Sequence, residues 1–107
     1  MEFDRIEEST LEHFKGGEGA LKTRMVTDDL TRFMKAKLEP GCSIGLHEHT
    51  DSCEVLYVIS GVGTAIMDGV EETVHAGDAH YCPKGHAHTL INRGAEDLIF
   101  FAVIPQQ

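Results

Sequence analysis

The chain is poor in cations. Its 107 residues carry 9 Lys and Arg against 18 Asp and Glu, a formal net charge of −9 at pH 7. Binding to a nucleic-acid backbone or an anionic membrane depends on clustered Lys and Arg, so neither is an expected partner. No apolar run approaches the ~18 residues needed to cross a bilayer, and the opening MEFDRIEEST is acidic where a secretion signal would be basic and then apolar. A soluble, cytoplasmic protein is the expectation. Cysteine is scarce as well: Cys42, Cys53 and Cys82 are odd in number and show no C-x-x-C spacing, which argues for reduced thiols and against a disulfide framework. There is no room for a second domain. A chain of this size buries roughly 65% of its unfolded surface, enough for one core spanning residues 1–107.

A long helical pattern is also missing. From Arg24 onward short apolar stretches alternate with glycine, proline or acidic turns, and they read as strands at 32–38, 43–49, 54–60, 64–67, 70–74, 79–82, 86–92 and 98–104. Asp68-Gly69 is a strong two-residue hairpin signal. Gly41, Gly61, Gly77 and Gly85 fall at strand ends, where positive φ is expected. The array predicts an all-β sandwich or barrel. Residues 1–24 leave two readings open, because Phe3, Ile6, Leu11 and Phe14 suit a helix face or a set of short strands and turns. Gly16, Gly17 and Gly19 follow without the strand and motif of a phosphate-binding loop, so a flexible loop is expected there.

The chemistry concentrates in two stretches. His47 and His49 lie two residues apart, which on a strand puts both imidazoles on one face. A turn through Thr50, Asp51 and Ser52 would fold the Glu54 carboxylate back toward them, and His88 is available from a later strand. Three neutral imidazoles and one carboxylate suit a divalent transition metal better than calcium or magnesium. Manganese, iron, nickel, copper and zinc all accept such a set. Cys53 and Cys82 stand close by in sequence, but free cysteine usually packs as a small apolar residue, and alternation should turn Cys53 away from Glu54.

The two stretches, GCSIGLHEHTDSCEVLYVISG at 41–61 and GDAHYCPKGHAHTLIN at 77–92, resemble the paired signature motifs of the cupin superfamily. Gly41, His47, His49, Glu54 and Gly61 match the first, and Gly77, Pro83, Gly85, His88 and Asn92 the second. The chain looks like the small single-domain cupins, some of which carry an oxalate decarboxylase-like label. The resemblance implies a double-stranded β-helix, or jelly-roll barrel, with His47, His49, Glu54 and His88 pointing inward as ligands to one divalent metal. It also implies a loop-tying role for Asn92. Four protein ligands on a six-coordinate ion would leave two positions for a small molecule, with a carboxylate among the candidates.

Around that site His86, His80, Tyr81, Tyr57 and Arg32 are candidates for proton transfer or ligand orientation. His86 shares strand parity with His88 and is the first choice for an acid–base role. Pro83 leaves open whether His80 and Cys82 or Ala79 and Tyr81 face inward. Arg32 would suit carboxylate binding if its face lines the cavity. His13, His75, Glu48 and Asp51 are expected at the surface. Three functions fit: a metal-dependent dioxygenase, decarboxylase or isomerase acting on a small anionic molecule, a non-catalytic ligand-binding module, or a scaffold stabilised by metal. Residues 55–59 and 98–104 are apolar on both faces, so a homodimer that covers the outer face is predicted.

Overall fold

The computed structural model describes all 107 residues. Ten strands run in order: β1 (Ser9–Glu12), β2 (Ala20–Thr27), β3 (Thr31–Leu38), β4 (Ser43–Glu48), β5 (Glu54–Ser60), β6 (Val62–Met67), β7 (Val70–His75), β8 (Ala79–Cys82), β9 (Ala87–Ile91) and β10 (Leu98–Pro105). They form two antiparallel sheets, β1-β2-β3-β10-β5-β8 and β4-β9-β6-β7. The all-β jelly-roll expectation holds. No helix is long and apolar enough to cross a membrane.

Alternation along the central strands builds the core. Met34, Ala36 and Leu38 of β3, Leu56 and Val58 of β5, and Leu98, Phe100 and Ala102 of β10 are all at most 3% exposed. They meet Ile44, Ala65, Val74 and Leu90 from the smaller sheet in one apolar cluster. The β6–β7 hairpin turns at Asp68 and Gly69, with φ of 50° and 81°, as that dipeptide predicts. Asn92 is fully buried: its Nδ2 donates to the Leu38 and Glu96 carbonyls and its Oδ1 accepts from the Gly94 N–H. It ties down the 93–97 loop.

The N-terminal quarter resolves the open reading in favour of strands. β2 pairs with β3 over seven residues, and β1 caps its far side. Its inward row is Leu21, Thr23 and Met25, and the polar threonine breaks the apolar alternation that would have marked a strand. The glycine-rich stretch is not a free loop. Gly17 is buried with its backbone against β4, and the Glu18 carbonyl accepts from the Ser43 N–H at 2.9 Å. Residues 13–19 therefore form a strap across the smaller sheet.

The outer face of the larger sheet stays uncovered within the chain. Val55, Tyr57 and Ile59 of β5 and Tyr81 of β8 are 42–53% exposed. Phe3 shields only Phe101, ring edge to ring face at 5.1 Å.

Candidate metal centre

One irregularity in β4 sets up the site. Ile44 pairs with Leu90 and His47 with His88, so β4 advances three residues while β9 advances two. The extra residue is a bulge. It lets Ile44 fill the core and His47 face the same interior, although an odd spacing would otherwise put them on opposite faces. Leu46 is turned out, 70% exposed.

The structure brings His47, His49, Glu54 and His88 together, with one donor atom from each inside a 4.8 Å span. No cysteine joins them. His49 Nε2 lies 3.0 Å from His88 Nε2, and each lies 3.1 Å from Glu54 Oε1. His47 Nε2 is 3.9 Å from the same oxygen. Two donors bound at ~2.1 Å to one ion stand about 3.0 Å apart at right angles, about 3.4 Å in a tetrahedron and about 4.2 Å on opposite sides. Three separations match the right-angle value and the fourth approaches the opposed one. Three imidazoles and one carboxylate gathered at these separations could hold a divalent transition metal.

The outer ring nitrogens are held too. His47 Nδ1 donates to the Gly45 carbonyl at 2.7 Å, which leaves its Nε2 lone pair for the cluster. His49 Nδ1 meets Ser52 Oγ at 2.9 Å, and His88 Nδ1 meets His80 Nε2 at 3.0 Å. Burial pushes the Glu54 carboxyl up, but contacts from His47, His49 and His88 outweigh it and hold the group well below the usual carboxylate range. A buried carboxylate beside three imidazoles is a group that could hold a metal ion.

His47, His49 and Glu54 line a cavity of about 400 Å³ that opens past Glu48, Asp51, Asp28 and Asp29. Glu48 and Asp51 are exposed as expected, yet they also form its rim. Arg32 lines it in the same inward row as Met34. The Lys and Arg ion pairs in the molecule are Lys22–Glu39, Lys35–Asp4 and Arg93–Glu71, so Arg32 has no acid partner. Phe14 and Lys15 of the strap complete one wall, which sequence reasoning missed because the strap's docking depends on a distant strand.

The remaining candidates fall elsewhere. His86 is not brought to the cluster: it precedes β9, is exposed, does not line the cavity, and its ring bonds to Asp68 at the β6–β7 hairpin. Parity with His88 failed as a guide because His86 closes the turn from Pro83 and stands before β9. That hydrogen bond also holds the Asp68 carboxyl below its usual range. Tyr57 and Tyr81 sit on the outer face. His80 and Cys82 are the inward pair of β8, 6% and 0% exposed. Burial, and then the neighbouring His88, lower the His80 pKa and keep its ring neutral, while burial pushes the Cys82 thiol up to about 11. His13 and His75 are exposed.

Comparison with known proteins agrees with this architecture. The cupin domain family model matches residues 34–104. An oxalate-binding protein of Thermotoga maritima is 32% identical over 100 residues, covering 88% of this chain and 83% of the relative. A crystal structure from Thermotoga maritima described as a predicted oxalate decarboxylase superposes with a TM-score of 0.93 at 28% identity, covering 99% of this chain and 97% of that one. The cupin domain of Schizosaccharomyces pombe Cnp3 shares the fold at a TM-score of 0.82 and 8% identity, over 99% of this chain and 72% of that one. With the two motifs folded into one barrel and their four donors converged, this chain belongs to the cupin domain family.

Proposed function

We propose that this chain is a divalent-metal cupin that binds a small carboxylate, of which oxalate is the first candidate, and acts on it as an enzyme. One observation carries the reading: three of the four converged donors, His47, His49 and Glu54, line a cavity whose wall also holds an arginine without an acid partner. His47, His49, Glu54 and His88 would hold the ion, which when bound supplies Lewis-acid polarisation of a carboxylate or carbonyl. The barrel frame fixes the four donors on β4, β5, β9 and the turn between the first two. Arg32 orients the ligand through paired N–H donors that suit a carboxylate. Ile44, Met34 and Ile104 exclude water from one side of the ligand. The relative named an oxalate-binding protein supports the ligand class.

A second reading, a binding module without turnover, is favoured by one feature. Apart from the proposed metal ligands the cavity has no buried acid or base, since Glu48 and Asp51 are exposed and His86 lies outside. The deciding experiment is elemental analysis of untagged protein, followed by calorimetric titration with oxalate and assays for carbon dioxide release and oxygen uptake. About one iron or manganese per chain with turnover establishes the enzyme. Tight binding without turnover establishes the module, and a chain that takes up no metal refutes both.

We also propose a homodimer built on the outer face of the larger sheet, supported by the exposed row Val55, Tyr57, Ile59 and Tyr81. Sedimentation should give twice the 11.8 kDa chain mass, and Tyr57→Glu should return the monomer. A wild-type monomer at micromolar concentration would refute it.

A further inference from the structure

His80 lies outside the four-donor cluster and is 6% exposed. Its register on β8 sets it opposite Leu56 of β5, a buried residue of the core. A buried polar ring costs stability unless its hydrogen bonds are made, and His80 makes one, to His88 Nδ1 at 3.0 Å. The direction of that bond decides what His88 can do.

For His47 the direction is forced, because the Gly45 carbonyl can only accept. An imidazole partner can donate or accept. If His80 donated, His88 would carry its proton on Nε2, the atom that faces His49 Nε2 at 3.0 Å and Glu54 Oε1 at 3.1 Å, and that nitrogen would have no lone pair to offer. If His80 accepts, the His88 proton sits on Nδ1 and the Nε2 lone pair points into the cluster. Only the second arrangement is compatible with a ligand.

We infer that His80 is the positioning residue for His88: protonated on Nδ1, it accepts the His88 Nδ1 proton at its own Nε2 and fixes the tautomer that presents Nε2 to a divalent metal. This rests on the metal reading above but concerns a residue that touches the cluster only through His88. Partners of ligand imidazoles of this kind change metal affinity by about 10- to 100-fold when removed.

The test uses Zn(II) as a diamagnetic probe and two variants. His80→Gln keeps an acceptor near the position of Nε2, whereas His80→Leu fills the space without one. Competition with a chromophoric chelator should show His80→Leu weakened about 10- to 100-fold and His80→Gln close to wild type. Long-range proton–nitrogen spectra of the Zn(II)-loaded wild type should place the His80 proton on Nδ1 and leave its Nε2 bare. This second readout stands even if a variant fails to fold. Unchanged affinity in His80→Leu, equal loss in both variants, or a His80 proton on Nε2 would each overturn the inference. Failure of the wild type to bind Zn(II) would instead overturn the metal reading itself.

Discussion

Gly45 sits in the bulge of β4 with the strap lying directly on it. A Cβ built there would lie 2.0 Å from the Lys15 carbonyl oxygen and 2.7 Å from the Gly17 nitrogen, and one built at Gly17 would lie 2.1 Å from the Ser43 oxygen. These are backbone atoms, which cannot rotate away. Gly45→Ala must therefore either distort β4 or lift the strap, and the cheaper escape caps the cost. Lifting the strap breaks two hydrogen bonds, from Ser43 N–H to the Glu18 carbonyl and from Glu18 N–H to Ser43 Oγ, worth about 1 kcal/mol each. It also exposes the partly buried Phe14, for about another 1 kcal/mol. The sum is about 3 kcal/mol, or roughly 12 to 24 °C in melting temperature for a domain near this size. Because one event relieves both clashes, Gly17→Ala added to Gly45→Ala should cost under about 1 kcal/mol more. Thermal and urea unfolding of the two single variants and the double would measure this. A wild-type melting temperature for Gly45→Ala, or additive losses in the double, would refute the docked strap.

Other perturbations have equally definite outcomes. Phe100 is fully buried at the centre of the core, so Phe100→Ala should lose about 3 to 5 kcal/mol in urea unfolding. Elemental analysis should find no stoichiometric metal in His49→Ala or His88→Ala and wild-type metal in His13→Ala, and the wild type should release metal as pH falls through roughly 6 to 5, since ligand imidazoles must be neutral. In metal-free protein the depressed Glu54 pKa contributes stability that is fully present above the unfolded value near ~4.3 and is lost as pH falls through the lower folded value. The melting temperature of metal-free wild type should accordingly fall more steeply below about pH 4 than that of Glu54→Gln. Native alkylation counted by mass spectrometry should label Cys42 alone at pH 8, because Cys53 and Cys82 are buried and the Cys82 thiol titrates near 11.

What the sequence reveals and what it hides divides along physical lines. Strands from β3 onward were legible because Met34, Ala36 and Leu38, or Leu56 and Val58, alternate in a period that local sequence carries. The donors were legible because their spacing is local to two short motifs. β2 was hidden by Thr23, a buried hydroxyl with no hydrogen-bond partner, which looks like a surface residue in sequence. His86 misled because strand parity was extended across a turn where parity does not hold. The orientation of His80 depended on β8 pairing with β5, a contact no local pattern specifies.

The inward-facing residues of successive strands change character in the same spatial direction. Along β3 they run Leu38, Ala36, Met34, Arg32; along β10, Leu98, Phe100, Ala102, Ile104; along β5, Val58, Leu56, Glu54; and from β9, Leu90 then His88. Cross-strand register aligns the rows, with Leu98 opposite Leu38 and Ile104 opposite Arg32. Apart from Thr23 and Asn92, one half of the barrel is consequently dry, and the other holds the imidazoles, the carboxylate and the free guanidinium. The dry half supplies the apolar burial that stabilises the fold, which allows the wet half to keep polar groups that cost stability and that the proposed metal and carboxylate site would use. A substitution in the dry half should therefore reduce binding only to the extent that it unfolds the chain. In the wet half an apolar replacement such as Arg32→Met should weaken binding while leaving the melting temperature unchanged or raised.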